Sequence, residues 1–204
     1  MRTSTLCLLL GTASIWCTPA SSAEAPHLVH LPGKHLTAHT IALEADVPCS
    51  PDESYKLWST ESGVERFFAP SATIDDQVGG RYAVAFFPKD DPKGLVHGTA
   101  GAHLLAANPG RFIAFEWIVF AGDNKRGHSA PPYAPPEIRL PSRLPTWVEI
   151  GFQPTKDGAT HVHFRHYGFA DGELWGQSQA WFTQAWSGVL SQMRTTCLDM
   201  KRQS

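Results

Sequence analysis

Apolar and polar residues alternate at the start of the folded part of the chain. Between residues 40 and 47, apolar side chains stand at every second position, namely at Ile41, Leu43, Ala45 and Val47. A period of two residues is typical of a half-buried β-strand, because successive side chains point to opposite faces. The pattern predicts a first strand that ends before Pro48.

A short polar string after this strand predicts the start of a helix. Ser50 is a favourable N-cap, Pro51 suits the first helical position, and Glu53 follows three residues after the cap. This arrangement is typical of a capping box. We predict a first helix that extends to Ser59 and a second short helix over residues 63–68.

From residue 76 onward the pattern becomes that of consecutive antiparallel strands. Turn residues separate apolar runs that predict strands at residues 81–87, 96–106, 111–119, 146–153 and 160–167. The segment 121–145 is rich in proline and polar residues and is long for a loop. It is either a lid or partner-binding edge, or ordinary exposed chain.

After Gly172 the apolar period changes to three and four residues, which predicts a closing helix of about 24 residues. Its stripe consists of Trp175, Phe182, Trp186, Val189, Leu190, Met193 and Cys197. Such a stripe must pack against an apolar surface, and a sheet face is the largest one available. The chain is therefore predicted to be an α+β protein.

The first 23 residues have the order of a secretory signal peptide. Arg2 precedes an apolar run over residues 6–16, and small residues follow up to Ala23. The run is about half the length of a membrane-spanning helix, so we predict no stable membrane anchor. We predict cleavage after Ala23, a flexible leader at residues 24–39, and a secreted or periplasmic protein.

The net charge bears on whether the protein binds nucleic acid, and the cysteine content bears on whether it contains a disulfide. The formal net charge of −2 becomes −3 when Arg2 is removed (−2 − 1), which disfavours nucleic acid as a partner. Cleavage would leave two of the four cysteines, Cys49 and Cys197. In an exported protein they are either a disulfide or two buried thiols.

Several strings, in this order, resemble the SRPBCC (START-related) superfamily, in the branch named after the activator of the heat-shock chaperone ATPase. The strings are residues 50–53 with Trp58, residues 79–82, 108–111 and 115–117, residues 164–169, and residues 181–190. The resemblance covers residues 40–199 and leaves 200–204 as a tail. Because the heat-shock chaperone is cytosolic and this chain is predicted to be exported, the branch name does not imply its function.

The resemblance implies a helix-grip fold, in which a curved antiparallel sheet wraps around the long C-terminal helix. In this superfamily the space between sheet and helix commonly holds an apolar small molecule. The fold also implies that the two short helices support the far end of the closing helix, which would bring Cys49 and Cys197 into bonding range. The superfamily has no shared catalytic motif, so we assign no catalytic residue.

The residues expected to face that space are mostly aromatic, as in ligand cavities generally. His166 is in line with the core positions Val162 and Phe164, so it either hydrogen-bonds a ligand, acts as an acid or base, or is a satisfied core histidine. We predict as ligand-binding residues Phe67, Phe68, Tyr82, Phe86, Trp117, Phe164, His166, Phe182, Trp186 and Leu190. Aromatic residues at such positions can equally fill the core.

The sequence gives less support for a metal or cofactor site than for a ligand-binding site. His161 and His163 form an HxH pair on the opposite face of the same strand and can bind zinc, but the sequence identifies no third ligand. We therefore predict no metal site and, because nucleotide, thiol-redox and hydrolase motifs are absent, no cofactor. Glu116 is expected either to form an ion pair with Arg81 or Arg165 or to serve as a catalytic carboxylate.

These observations leave three hypotheses for the function. The first is an exported protein that binds an apolar small molecule between the sheet and the closing helix. The second is an enzyme of the cyclase or hydratase kind that uses the same space, with His166 and a tyrosine as acid-base groups. The third is an interaction module that binds a protein partner, not identifiable from the sequence, through residues 121–145.

Overall fold

The computed structural model describes residues 39–95, 97–117, 146–169 and 171–203. The predicted signal peptide, most of the leader and the proline-rich segment 121–145 lie outside the described residues. The elements, in chain order, are β1 Ile41–Val47, α1 Pro51–Ser59, α2 Glu61–Phe67, β2 Ser71–Ile74, β3 Tyr82–Ala85, β4 Leu104–Asn108, β5 Phe112–Glu116, β6 Trp147–Pro154, β7 Thr160–Tyr167 and α3 Glu173–Gln203.

The strands form two antiparallel sheets. The larger sheet has five strands in the order β1-β7-β6-β5-β4, and β2 pairs with β3 in a separate two-stranded sheet. Two isolated bridges join this region to the segment that leads into β4. Arg81, directly before β3, is bridged to His103, and Ala85 of β3 is bridged to Gly98. With α3 packed against it, the larger sheet confirms the predicted α+β class and is consistent with the helix-grip fold.

The core lies between the inner face of the larger sheet and α3. Across the sheet, the pairing aligns Leu43 of β1 with Phe164 of β7, and Phe164 with Ile150 of β6. The face of α3 that is turned inward carries Phe182, Trp186, Leu190, Met193 and Cys197, all buried. These positions are separated by three or four residues, which keeps them on one side of the helix.

The predicted start of α1 is confirmed in detail. The Ser50 side chain accepts a hydrogen bond from the Glu53 amide, and the Glu53 carboxylate accepts one from the Ser50 amide. The second helix begins two residues earlier than predicted, at Glu61, because the Thr60 side chain caps it by accepting from the Gly63 amide. Both starts use a polar side chain to satisfy amides that the first turn leaves free.

The prediction of one strand over residues 96–106 is wrong. In the described part of that segment only residues 104 onward form a strand, β4. Asp91 accepts hydrogen bonds from the amides of Leu95 and His97 and so holds the chain in a turn. A Cβ on Gly98 would approach the Val84 carbonyl oxygen to 2.1 Å, so the chain there lies closer to β3 than a strand of ordinary residues allows.

Strand β2, at residues 71–74, was not predicted, and the closing helix is longer than predicted. Helix α3 has 31 residues, which corresponds to about 46 Å at 1.5 Å per residue. It includes most of the predicted tail, and Met200 in this extension packs against the core. No helix among the described residues has the combination of length and apolar composition required to cross a bilayer.

The predicted disulfide between Cys49 and Cys197 is confirmed. The two sulfur atoms are 2.02 Å apart, and the cysteines are separated by 148 positions in the sequence. Cys49 lies directly before α1 and Cys197 lies in the last third of α3. The bond therefore joins the beginning of the fold to its end.

Candidate functional site

An aromatic cluster lies between the larger sheet and the middle of α3. Trp186 of α3 is at its centre, with ring centroids 4.6 Å from Trp117, 4.7 Å from Phe164 and 5.5 Å from Phe68. We define the cluster by its members, which are Trp58, Phe67, Phe68, Phe86, Phe115, Trp117, Phe164, His166, Phe169, Phe182 and Trp186.

The ten residues that the sequence predicts to bind a ligand all lie in or against this core. Eight are buried, and two, Phe68 and Phe86, are half-buried and pack against the core. Tyr82 is directed differently from the others, because its ring stacks on Phe115 and its hydroxyl donates to the Trp58 carbonyl. Their contact with a ligand stays a prediction.

His166 is the buried polar group at the centre of the site. It lies on β7 in line with Val162 and Phe164, as predicted, and has 0% exposure. Its ring is 4.6 Å from Phe169 and 5.3 Å from Phe182. The alternation of β7 therefore places an imidazole among apolar rings.

The hydrogen bonding of His166 determines which ring nitrogen carries the proton. The indole Nε1 of Trp186 lies 3.0 Å from Nδ1 of His166. Because an indole N–H can only donate, Nδ1 is the acceptor and the proton of the neutral imidazole is on Nε2. Burial lowers the pKa of His166 from 6.5 to about 3, so the ring is neutral at neutral pH.

Two N–H groups in the cluster have no acceptor among the described residues. They are Nε2 of His166 and Nε1 of Trp117, both buried. The two rings are neighbours, with centroids 6.5 Å apart. A buried donor without an acceptor costs about 1–3 kcal/mol, so an acceptor atom that reached either N–H would offset that cost.

Two clefts lined by described residues share no residue with the aromatic cluster. One, of about 450 Å³, lies beside α1 and includes Tyr55, Ile74 and Leu104. The other, of about 230 Å³, lies next to the disulfide. The internal cavity expected at the cluster stays a prediction.

The expected ion pairs of Glu116 are wrong. Glu116 accepts hydrogen bonds from the amide and Nδ1 of His103. Arg81 instead pairs with Asp75, and Arg165 pairs with Glu44. Glu116 is the last residue of β5, and its amide donates to the His103 carbonyl over 2.9 Å, which places the histidine within reach of its carboxylate.

Sequence reasoning missed three members of the cluster, namely Phe115 of β5, which stacks on Tyr82, and also Phe169 and Trp58. Phe169 follows β7 by two residues, and its ring is the nearest one to His166. Trp58 of α1 contacts Phe67, Phe164 and Trp186, and its indole donates to the sulfur of Met193. The period of α1 marks Trp58 as apolar-facing, but the sequence does not indicate which element it faces.

Solved structures with a similar fold come from several bacteria. Protein MLL2253 from Mesorhizobium loti is 16% identical, with a TM-score of 0.57 over 79% of this chain and 97% of that one. The Aha1 dimer from Colwellia psychrerythraea is 14% identical, with a TM-score of 0.54 over 76% and 92%. CalU16 from Micromonospora echinospora is 15% identical, with a TM-score of 0.52 over 80% and 79%.

At these identities the likeness establishes the fold alone. No curated protein matches the chain. The family model described as activator of Hsp90 ATPase homolog 1-like protein matches residues 48–197, which is most of the chain and includes every helix and strand except β1 and the last six residues of α3 (198–203). The chain therefore belongs to this family, within the SRPBCC superfamily.

Proposed function

We propose that this chain is an exported protein that binds an apolar small molecule at the aromatic cluster, through a hydrogen-bond acceptor on that molecule. The observation that carries the proposal is the pair of buried donors, Nε2 of His166 and Nε1 of Trp117, without an acceptor among the described residues. A carbonyl, hydroxyl or acidic oxygen would satisfy them. The surrounding rings would contact the apolar part of the molecule.

Membership of the SRPBCC superfamily supports this proposal. Proteins with this fold commonly hold an apolar molecule between the sheet and the closing helix. Here both donors lie in that region, Trp117 directly after β5 and His166 on β7, with Phe182 of α3 in contact with each. The ligand that fits is therefore mainly apolar and has one acceptor group near the ends of these strands.

The chemistry of His166 favours binding over acid-base catalysis. An imidazole whose pKa is lowered to about 3 is a weak base, and its one lone pair on Nδ1 already accepts from Trp186. Tyr82, the buried tyrosine of the core, donates to the Trp58 carbonyl, and burial raises its pKa. Neither group is therefore poised to transfer a proton near neutral pH.

The ligand prediction concerns Trp117→Phe, which removes the indole donor and keeps an aromatic ring. We expect this variant to bind 8-anilino-1-naphthalenesulfonate at least about tenfold more weakly, because a hydrogen bond to a charged acceptor is lost. Binding of N-phenyl-1-naphthylamine, which has the same rings but no sulfonate, should change by less than about threefold. Fluorescence titration measures both affinities.

Trp147→Phe is the matched control, since Trp147 lies outside the cluster and its indole donates to Glu149. This variant should bind both probes like the wild type. Native mass spectrometry of the purified protein should also detect a bound apolar compound. A protein that carries no compound and takes up neither probe would overturn the proposal. If Trp117→Phe lost the same affinity for both probes, the Trp117 indole would not be the donor that binds the sulfonate.

Export is a separate part of the proposal. The disulfide supports it, since such bonds form and persist in oxidising compartments and are rare in the cytosol. We expect the protein produced from its full sequence in a bacterial host to appear in the periplasm or medium, cleaved after Ala23. Its intact mass should correspond to a chain that begins at Glu24 with two fewer hydrogens for the disulfide. An uncleaved cytosolic protein would contradict export.

A further inference from the structure

The outer face of the larger sheet carries a group of polar side chains that the proposed function does not use. In the antiparallel pairing of β1 with β7, Glu44 is opposite His163 and Asp46 is opposite His161. These four residues point away from the core, because the residues that alternate with them on β7, Val162 and Phe164, are buried. The strand register therefore supplies the third ligand that the HxH pair lacks in the sequence.

The carboxylate of Glu44 lies between the two imidazoles. One oxygen, Oε2, is 3.5 Å from Nε2 of His161, and the other, Oε1, is 3.5 Å from Nδ1 of His163. The three candidate ligand atoms lie within 4.8 Å of one another. In a tetrahedral zinc site with ligands at 2.0–2.2 Å, neighbouring ligand atoms are about 3.3 Å apart. The distance from Oε2 of Glu44 to His161 is already close to that value, and the distance to His163 is made by the other oxygen, Oε1.

The other nitrogen of each imidazole is held by a second polar side chain. Nδ1 of His161 is 2.7 Å from Oδ1 of Asp46, and Nε2 of His163 is 3.1 Å from Oε1 of Gln153 on β6. Both partners are acceptors, so in the neutral rings these nitrogens carry the protons. The lone pairs are then on Nε2 of His161 and Nδ1 of His163, the atoms that face Glu44. Orientation of a ligating histidine by a second acceptor is a general feature of metal sites.

We propose that Glu44, His161 and His163 bind Zn²⁺ or another divalent transition metal of the kind that imidazole ligands favour. Two histidines and one glutamate are a known donor set for zinc, with the fourth position taken by water. The side chains of His161, His163 and Glu44 are 30%, 38% and 53% exposed, so solvent reaches that position. The site lies on the face of the sheet opposite the aromatic cluster.

One positive charge opposes a bound cation. Arg165 donates to Oε1 of Glu44 over 3.3 Å, and also to the carbonyls of Leu43 and Phe164. Oε2 of Glu44 is left for the metal, and Asp46 adds a second negative charge beside His161. Two carboxylates against one guanidinium keep the local charge favourable for a divalent ion.

A metal at this position would connect β1 to β7. Glu44 is on β1, which lies at the edge of the sheet, and both histidines are on β7. Binding to the folded protein alone raises its stability by mass action. Zn²⁺ at 100-fold excess over its dissociation constant should therefore raise the thermal midpoint by about 5–10 °C.

The test is titration of the untagged, chelator-treated protein with ZnCl₂, followed by calorimetry, with Co²⁺ absorption as a second probe of coordination. We expect a site of one Zn²⁺ per chain that is weakened at least about tenfold in Glu44→Gln and in His163→Gln. Gln153→Ala, which removes only the partner of His163, should weaken it by about 10–100-fold. The variants change exposed side chains, and far-ultraviolet circular dichroism checks their fold.

Two controls separate this site from other histidines. His103→Gln removes a histidine paired with a carboxylate elsewhere, since Nδ1 of His103 is 2.8 Å from Glu116, and it should leave zinc binding unchanged. Replacement of His27, His30 and His35 by glutamine should do the same. The proposal would be overturned by any of three results: no zinc binding by the wild type, wild-type zinc affinity in His163→Gln, or loss of zinc binding in the triple glutamine variant. The contacts would then be histidine–carboxylate ion pairs.

Discussion

Replacing Cys49 and Cys197 together by alanine will lower the free energy of unfolding by about 4–5 kcal/mol. The bond connects cysteines 148 positions apart, and in the chain-entropy model such a long closed loop strongly restricts the unfolded chain. Because single domains are stable by only 5–15 kcal/mol, the variant would keep a small margin. Both cysteines are buried. Alanine is therefore chosen over serine, whose hydroxyl would be left without a hydrogen-bond partner in the core.

Urea denaturation of the oxidised wild type, the reduced wild type and the double alanine variant measures this loss. The reduced wild type should agree with the variant to within about 1 kcal/mol, since both lack the bond and differ only in two buried sulfur atoms. A loss below about 1 kcal/mol in both would contradict the prediction. It would mean that the reduced, unfolded chain already holds its ends together.

Acid will destabilise the wild type more strongly than His166→Gln. The pKa of His166 is about 3 in the folded protein and ordinary, near 6.5, in the unfolded chain. Between these values the unfolded state binds the proton and the folded state does not, so stability is full above pH 6.5 and falls as the pH decreases. The slope is about 1.4 kcal/mol per pH unit.

At pH 4.5 the wild type should therefore have lost about 2.5 kcal/mol relative to pH 7 beyond any loss in the variant. Glutamine is the appropriate replacement, because its amide oxygen can still accept from Trp186 and does not titrate. Denaturation at several pH values between 4.5 and 7 compares the two proteins, and subtraction removes the carboxylates they share. Parallel curves would contradict the lowered pKa of His166, because they would mean that this histidine has the same pKa in the folded and unfolded states.

Local chemistry accounts for the parts of the fold that the sequence predicted well. The alternation at residues 41–47 and the capping box at Ser50 depend on neighbours within a few positions, and β1 and α1 lie where these signals place them. The segment before β4 depends instead on Asp91 and on the approach of Gly98 to Val84. Neither contact leaves a periodic pattern in the sequence, so the predicted strand over residues 96–106 is too long.

The same division applies to the candidate sites. Alternation along β7 correctly directs His166 inward and His161 and His163 outward. The partner of His166 is Trp186, one element later, and the partner of the HxH pair is Glu44, more than 100 positions earlier. Both partners depend on how α3 and β1 pack against β7. No local sequence pattern predicts that packing.

The position of β1 at the sheet edge also constrains the order in which the protein can fold. Among the described strands its one neighbour is β7, and Ile41 pairs with His166, which is 125 positions later (166 − 41). When the chain is synthesised from its N-terminus, nearly its whole length must be available before β1 can pair with β7. Pairing over such separations is slow. Until it occurs, β1 is unpaired with one apolar face exposed, and the edge of β7 that it covers is open to other chains.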